Sequence, residues 1–136
     1  LFGSGCAGSN GTPTIGAPPV GPTIGTSFQV TVSSLPVISG AFGMLGLSDT
    51  VASGGIALPL PLGFLGMPGC QLLGSADVIE FLGNRPTPTT ALWSWAIPAN
   101  AALVGVDFYQ QVLVIDPGIN AFNAVTSNGG HGTIGC

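Results

Sequence analysis

Charge is what this chain has least of. Its 136 residues include one arginine, no lysine and five acidic residues, so charged side chains make up 4% of the sequence. An ordinary soluble domain has about a quarter of its residues charged. Disorder does not explain the deficit because 46% of the residues are hydrophobic. The sequence also lacks an unbroken apolar stretch of about 18 residues that would span a membrane. The composition therefore predicts a folded chain with a nearly uncharged surface.

The scarcity of positive charge excludes two classes of partner, nucleic acid and anionic lipid, because both need clustered lysine and arginine. The net charge is −4. With few charges to repel a neighbour, copies of the chain are expected to associate with each other. Arg85, the one trypsin-type cleavage site, precedes Pro86. These features are typical of a secreted structural or matrix protein, so we expect an extracellular or cell-surface location. The start at Leu1 without a signal peptide fits both a processed protein and a fragment.

Cysteine is also scarce. Cys6, Cys70 and Cys136 lie far apart, none belongs to a CxxC motif, and the single histidine does not complete a zinc site with them. Distant cysteines in a glycine-rich domain favour a disulfide in an oxidising compartment. Because the number is odd, one thiol is either free or paired with another chain. We expect no metal or other cofactor.

The chain divides into two regions by composition. Residues 1–25 predict an extended arm or edge strand, since their glycine and proline density excludes helix and central strand. Residues 26–136 predict a single all-β sandwich, jelly-roll or Ig-like, of seven or eight short strands. The proposed strand segments are 27–33, 41–47, 89–97 and 104–115. A further strand is expected within 70–82, and 56–65 is expected to be an edge strand or polyproline-like segment. No segment shows the repeating pattern of an amphipathic helix.

Catalytic constellations are missing from the sequence. His131 lies in an Asn-Gly-Gly-His-Gly turn, and no GxSxG motif accompanies it, so we predict an exposed turn residue. Asp77 and Glu80 fall on opposite faces of a strand, whereas glycosidase carboxylates face each other. They are expected to be solvated acids near a strand end. We therefore predict that the protein is not an enzyme.

The sequence evidence for a metal site and for a glycan attachment site is also weak. Asp49, Asp107 and Asp116 are candidate calcium ligands, but no DxDxDG loop is present. Asp116 precedes Pro117-Gly118 and is expected to act as an Asx-type turn residue. Asn10 begins an N-glycosylation sequon, Asn-Gly-Thr, whose use the sequence does not establish.

The aromatic residues allow two interpretations. Trp93, Trp95 and Tyr109 are candidates for an exposed platform that binds sugar rings. The two tryptophans lie two residues apart on one strand face, about 7 Å from each other. Alternatively, the same rings fill the core between two sheets, which is the interpretation we favour.

Several motifs together resemble a known family. They are FGSGC at 2–6, GTPTIG at 11–16, FQVTVSSLP at 28–36, LPLPLGFLGMPGC at 58–70, FYQQVLVIDPG at 108–118 and SNGG with TIG within 127–135. In this order they resemble a secreted, usually C-terminal β-domain of exported proteins in planctomycetes and some myxobacteria. The resemblance implies export, a bacterial source, a β-sandwich and a non-catalytic role.

The resemblance also bears on the cysteines. Residues matching Cys6 and Cys70 recur together in the family, which implies an intrachain disulfide between them. Cys136 is an addition to the pattern and is expected to be a free or intermolecular thiol. A bridge between Cys6 and Cys136 is the main alternative.

Two functional hypotheses follow. The first is an extracellular structural protein that self-assembles into a filament, sheath or matrix, with residues 1–25 contributing contacts. The second is a non-catalytic module of a larger secreted protein that attaches to cell-surface glycan through Trp93, Trp95 and Tyr109.

Overall fold

A computed structural model describes residues 1–16, 18, 21–37, 40–52 and 54–136. In these residues the chain forms twelve strands, and the predicted all-β fold is confirmed. The strands are β1 (Thr14–Gly16), β2 (Ser27–Ser33), β3 (Ala41–Gly46), β4 (Val51–Ala52), β5 (Ile56–Ala57), β6 (Leu60–Pro61), β7 (Gln71–Leu72), β8 (Val78–Phe81), β9 (Ala91–Ala96), β10 (Asp107–Ile115), β11 (Ala124–Thr126) and β12 (Gly130–Thr133). Two single 3₁₀ turns, Gly63–Leu65 and Ala101–Leu103, are the helical structure in this part of the chain.

The strands form two main antiparallel sheets. The smaller sheet has the order β1-β2-β9, and the larger has the order β11-β10-β3-β8, with β12 also paired to β10. Two short hairpins, β4–β5 and β6–β7, complete the described pairing. These four strands have two residues each, which is why the structure has twelve strands where the sequence predicted seven or eight.

Alternation along the strands places the core between the two main sheets. In β2, Phe28, Val30 and Val32 are buried while Ser27, Gln29 and Thr31 are exposed, as predicted. The rings of Phe28 and Phe108, one from each sheet, meet edge to face with centroids 5.4 Å apart.

Trp93 of β9 fills the core above Gly43 of β3. A Cβ atom built on Gly43 would lie 2.6 Å from the Trp93 ring, so only glycine permits this approach.

A third layer covers part of the outer face of the larger sheet. Gln111 of β10 is buried there: its side chain accepts a hydrogen bond from Leu73 N–H at 2.9 Å. The same side chain donates to the carbonyl oxygens of Gln71 at 2.8 Å and Ser127 at 3.0 Å. Met67, at 1% exposure, shows that this covering layer excludes solvent.

The predicted disulfide fixes this layer. Cys6 and Cys70 are bonded, with their Cα atoms 4.9 Å apart. Cys6 N–H also donates to the carbonyl of Thr126 in β11 at 3.0 Å.

The N-terminal segment lies on its own domain. It supplies the edge strand β1, in which Ile15 is buried in the core. Phe2 and Gly129 exchange two backbone hydrogen bonds, of 2.9 and 2.8 Å. The division of the chain at residue 25 stays a prediction.

Two strand predictions need correction. Residues 56–65 do not form one segment but divide into β5, β6 and the turn Gly63–Leu65. The predicted strand 104–115 begins only at Asp107, because the backbone turns at Gly105, whose φ of 87° lies in the left-handed region.

Candidate binding surfaces

Strand β8 forms an open edge of the larger sheet. It pairs with β3 on one side, where Phe81 lies opposite Phe42 and Val78 opposite Leu45. Within the described residues no strand pairs with its other side. Val78, Ile79 and Phe81 are 57%, 60% and 64% exposed. The edge is therefore both unpaired and apolar.

The backbone of β8 presents hydrogen-bonding groups to solvent. Leu82 N–H donates to the Ala41 carbonyl at 2.8 Å, which sets the alternation of the β3–β8 ladder. In an antiparallel pair every second residue bonds to the partner strand. The N–H and C=O groups of Ile79 and Phe81 therefore point away from β3. Such a row is a template on which another strand can pair.

Apolar side chains extend this edge onto the outer face of the sheet. The rings of Phe42 and Phe81 meet edge to face with centroids 5.6 Å apart. Ile115 lies beside them, since a Cβ built on Gly40 would be within 4 Å of all three side chains. We call Phe42, Ile79, Phe81 and Ile115, with the open edge of β8, the β8 surface.

Glu80 is the one charged residue of β8. It is exposed near the end of the strand, as predicted. Its carboxylate also accepts a hydrogen bond from the indole N–H of Trp93, a contact that local strand periodicity does not predict.

Asp77 has different partners from Glu80. It precedes β8 and accepts from the Ser75 hydroxyl at 2.7 Å and from Leu47 N–H at 3.0 Å. These two bonds, that of Ser75 first, lower the pKa of Asp77. The two carboxylates thus serve separate local contacts and do not form a glycosidase pair.

A polar and aromatic cluster lies at the opposite edge of the sheet. His131 of β12 stacks on Tyr109 with centroids 4.7 Å apart, and its Nε2 lies 3.2 Å from Asp107 Oδ1. Thr133 donates its hydroxyl to the same carboxylate at 2.6 Å. His131 is exposed, as predicted, but it lies in a strand and not in a turn, which corrects that part of the prediction. The Thr133 hydroxyl bonds to Asp107 and not to His131, so this cluster lacks the nucleophile-to-base hydrogen bond of a triad.

Two pKa values shift in this cluster. Hydrogen bonds from Thr133 and then His131 lower the pKa of Asp107. Burial, followed by the charges of Asp49 and Asp107, raises the pKa of Tyr109.

The alternative of an aromatic platform does not match the positions of the rings. Trp93 is 1% exposed and lies in the core, as the favoured interpretation expects, and Trp95 packs against Phe108 with centroids 5.1 Å apart. Tyr109 belongs to the other sheet, where it contacts Phe2 and His131. The three rings therefore share no exposed face.

The remaining predicted residues are separated in space. Asp116 is buried and accepts from Ser9 N–H at 2.6 Å, so it anchors a distant segment rather than its own turn. Asn10 is exposed, and its side-chain amide donates to the Leu35 carbonyl at 2.9 Å. Cys136 is an exposed free cysteine.

In the described part of the chain, no group of three His, Cys, Asp or Glu residues is placed to hold a metal ion. No helix in this part is long and apolar enough to cross a membrane. Comparison with protein-family models, curated proteins and solved structures found no match to this chain.

Proposed function

We propose that this chain is an extracellular structural protein that self-associates through the β8 surface. The observation that carries the proposal is β8 itself: within the described residues its outer side pairs with no strand, and three of its apolar side chains are more than half exposed. Exposed apolar edges of this kind pair with other chains unless something covers or charges them.

Three other edge strands in the described structure each have at least one hydrogen bond on their outer side. Ile15 N–H of β1 donates to the side-chain oxygen of Asn128 at 2.7 Å. The Asn84 carbonyl accepts from Leu92 N–H of β9 at 2.8 Å, and Cys6 binds the edge of β11 as described above. The contrast with β8 favours a specific contact there over general stickiness.

Charge protects β8 only weakly. Natural edge strands are often blunted by lysine, and this chain has none. Glu80 is the one charged residue of β8, and its carboxylate accepts a hydrogen bond from Trp93. The disulfide is compatible with an oxidising extracellular location. The exposed thiol of Cys136 offers a second, covalent link between copies.

The test is a comparison of single lysine substitutions. Phe81→Lys and Ile79→Lys place a charge on the β8 surface, and Val51→Lys is the matched control because Val51 is 50% exposed on the separate β4–β5 hairpin. Cys136→Ser in all variants removes covalent linkage. Sedimentation and light scattering over a concentration series then report association.

We expect the parent and Val51→Lys proteins to grow in mass with concentration, at low and at high salt alike, since few charges are involved. Phe81→Lys and Ile79→Lys should remain monomeric while keeping the same circular dichroism. A parent that stays monomeric at high concentration, or a Phe81→Lys variant that associates like the parent, would refute the proposal.

A further inference from the structure

A second candidate site lies at the edge of the larger sheet opposite β8. It is an opening between β1 and β12 that leads toward the core, with a cavity of about 60 Å³. We call it the lateral cleft. Gly130, His131 and Gly132 of β12 border it. At Gly132 a Cβ atom would lie 2.2 Å from the Phe108 ring, so only glycine leaves room for this wall of the cleft.

The walls of the lateral cleft are mainly apolar, with Gln110 inside it and His131 at its rim as the polar side chains. Ile15, Phe28, Val30 and Phe108 line it. Gln110 also lines it, is 3% exposed, and its Nε2 has no hydrogen-bond partner in the described part of the chain. Buried polar groups are nearly always satisfied in folded proteins. An unsatisfied amide inside a cavity therefore points to a ligand that completes it.

The neighbouring glutamine is fully partnered: Gln111 makes three hydrogen bonds on the opposite face of the same strand. Among the described residues, the other buried side-chain nitrogen without a partner is Trp95 Nε1, which does not line the cleft.

Size and polarity restrict the occupant. An apolar cavity that holds benzene measures about 150 Å³, so an aromatic ring is too large for this cleft. A buried water needs two to four polar partners, and here one side-chain amide faces mainly hydrocarbon walls. A group with a few non-hydrogen atoms, a methyl end and a carbonyl oxygen matches both requirements.

We propose that the lateral cleft binds the acetamido group of an N-acetylated sugar. The methyl group packs against Phe28 and Phe108, and the acetyl oxygen accepts the hydrogen bond from Gln110 Nε2.

The rim of the cleft favours a sugar over an acetylated peptide. His131 borders it, and the side chains of His131 and of Asp107, which it contacts, are 44% and 49% exposed. An imidazole and a carboxylate side by side can accept and donate hydrogen bonds to the hydroxyl groups of a sugar ring. This site goes beyond self-association and does not involve β8.

The experiment is a titration of the whole protein with N-acetylglucosamine oligomers, followed by NMR of its side-chain amides. Glucosamine and glucose oligomers of equal length test the need for the acetyl group, and an N-acetyl-lysine peptide tests the alternative source of the same chemistry. We expect the Gln110 amide resonances to shift with the N-acetylated oligomer. Affinity for the other two oligomers should be at least about tenfold weaker, the worth of one satisfied buried hydrogen bond.

Two variants test the cleft itself. Gln110→Met removes the amide at similar volume and should lose binding by about tenfold or more. Gly130→Ala narrows the cleft without a clash, since its Cβ would be 3.8 Å from the nearest atom. Gly63→Ala, which has no atom within 4 Å of its Cβ, is the control that should bind normally.

The result that would overturn the proposal is binding that ignores the acetyl group, or survives Gln110→Met and Gly130→Ala. Binding of the acetyl-lysine peptide alone would also overturn it. An unchanged spectrum with all four probes would also overturn it, because none of these ligands would then bind at Gln110.

Discussion

The outer face of the larger sheet has two halves. Both carry apolar side chains, but a further layer of the chain packs on only one of them in the described structure. Over β10 and β11, residues 67–73 and the disulfide form a closed layer that buries Gln111, Met67 and Leu73. Over β3 and β8, the described part of the chain places no such layer on Phe42, Ile79 and Phe81, and two of the three are more than half exposed. We refer to these as the covered half and the bare half.

The difference shows that strand sequence alone does not decide what a sheet face contacts. Both halves carry apolar side chains and belong to one continuous ladder through β3 and β10. What distinguishes them is the covering segment, residues 67–73, which the Cys6–Cys70 disulfide holds in place. Substitutions in the covered half should change the stability of the fold, and substitutions in the bare half should change self-association or acid stability.

The largest effect on stability is expected from removing the disulfide that holds the covered half. Cys6→Ser with Cys70→Ser opens a loop whose ends are 64 residues apart. In the chain-entropy model this lowers the free energy of unfolding by about 4 kcal/mol. Denaturant unfolding would measure the loss, and Cys136→Ser is the control without effect. Equal stability of the double variant and the parent would mean that the non-covalent contacts alone hold the layer.

The next effect contrasts two adjacent glutamines. Gln111→Met leaves Leu73 N–H and the carbonyls of Gln71 and Ser127 without their partner, and should destabilise the protein by about 3 kcal/mol. Gln110→Met removes an amide nitrogen that has no described partner and should stabilise it by about 1 kcal/mol. Thermal unfolding of both variants gives the comparison. Equal shifts of the two would contradict the assignment of Gln111 as the link to the covering layer.

Periodicity in the sequence was sufficient for the strands that face the core. The alternation of Phe28, Val30 and Val32 predicted β2 and its buried face, and the segments 89–97 and 104–115 contain β9 and β10. A strand pattern has a period of two and reports which residues share a face. It therefore gave the sandwich fold class.

The same patterns did not predict the covered and bare halves. These depend on contacts between residues distant in sequence, such as Ser9 with Asp116 and Leu73 with Gln111. The disulfide between Cys6 and Cys70 was expected from family resemblance, because spacing alone left several pairings open. The sequence does not predict the lateral cleft, because Gly130 and Gly132 belong to a segment whose composition is typical of a turn.

A smaller effect is expected from neutralising the one charge on the bare half. Glu80→Gln keeps an acceptor for the Trp93 indole and removes the negative charge from β8. If two copies pair through this edge, like charges no longer oppose each other. Self-association should then tighten about fivefold, equivalent to about 1 kcal/mol. Sedimentation measures the change, and Asp107→Asn at the far edge of the sheet is the charge-matched control. Weaker association of Glu80→Gln than of the parent would place the contact elsewhere.

The smallest effect concerns acid stability at the border of the bare half. Hydrogen bonds from Ser75 and Leu47 lower the pKa of Asp77 below 3.8, so its carboxylate stabilises the folded state above that pH. This contribution is lost as the pH falls from 3.8 through the lower folded value. It should be small, because the carboxylate is exposed and screened. Asp77→Asn should make stability less dependent on pH in that window, leaving a residual slope from Asp107, whose lowered pKa acts with the same sign. Urea unfolding between about pH 2 and 6 would show it. An unchanged slope in Asp77→Asn would mean that these hydrogen bonds do not favour the ionised carboxylate.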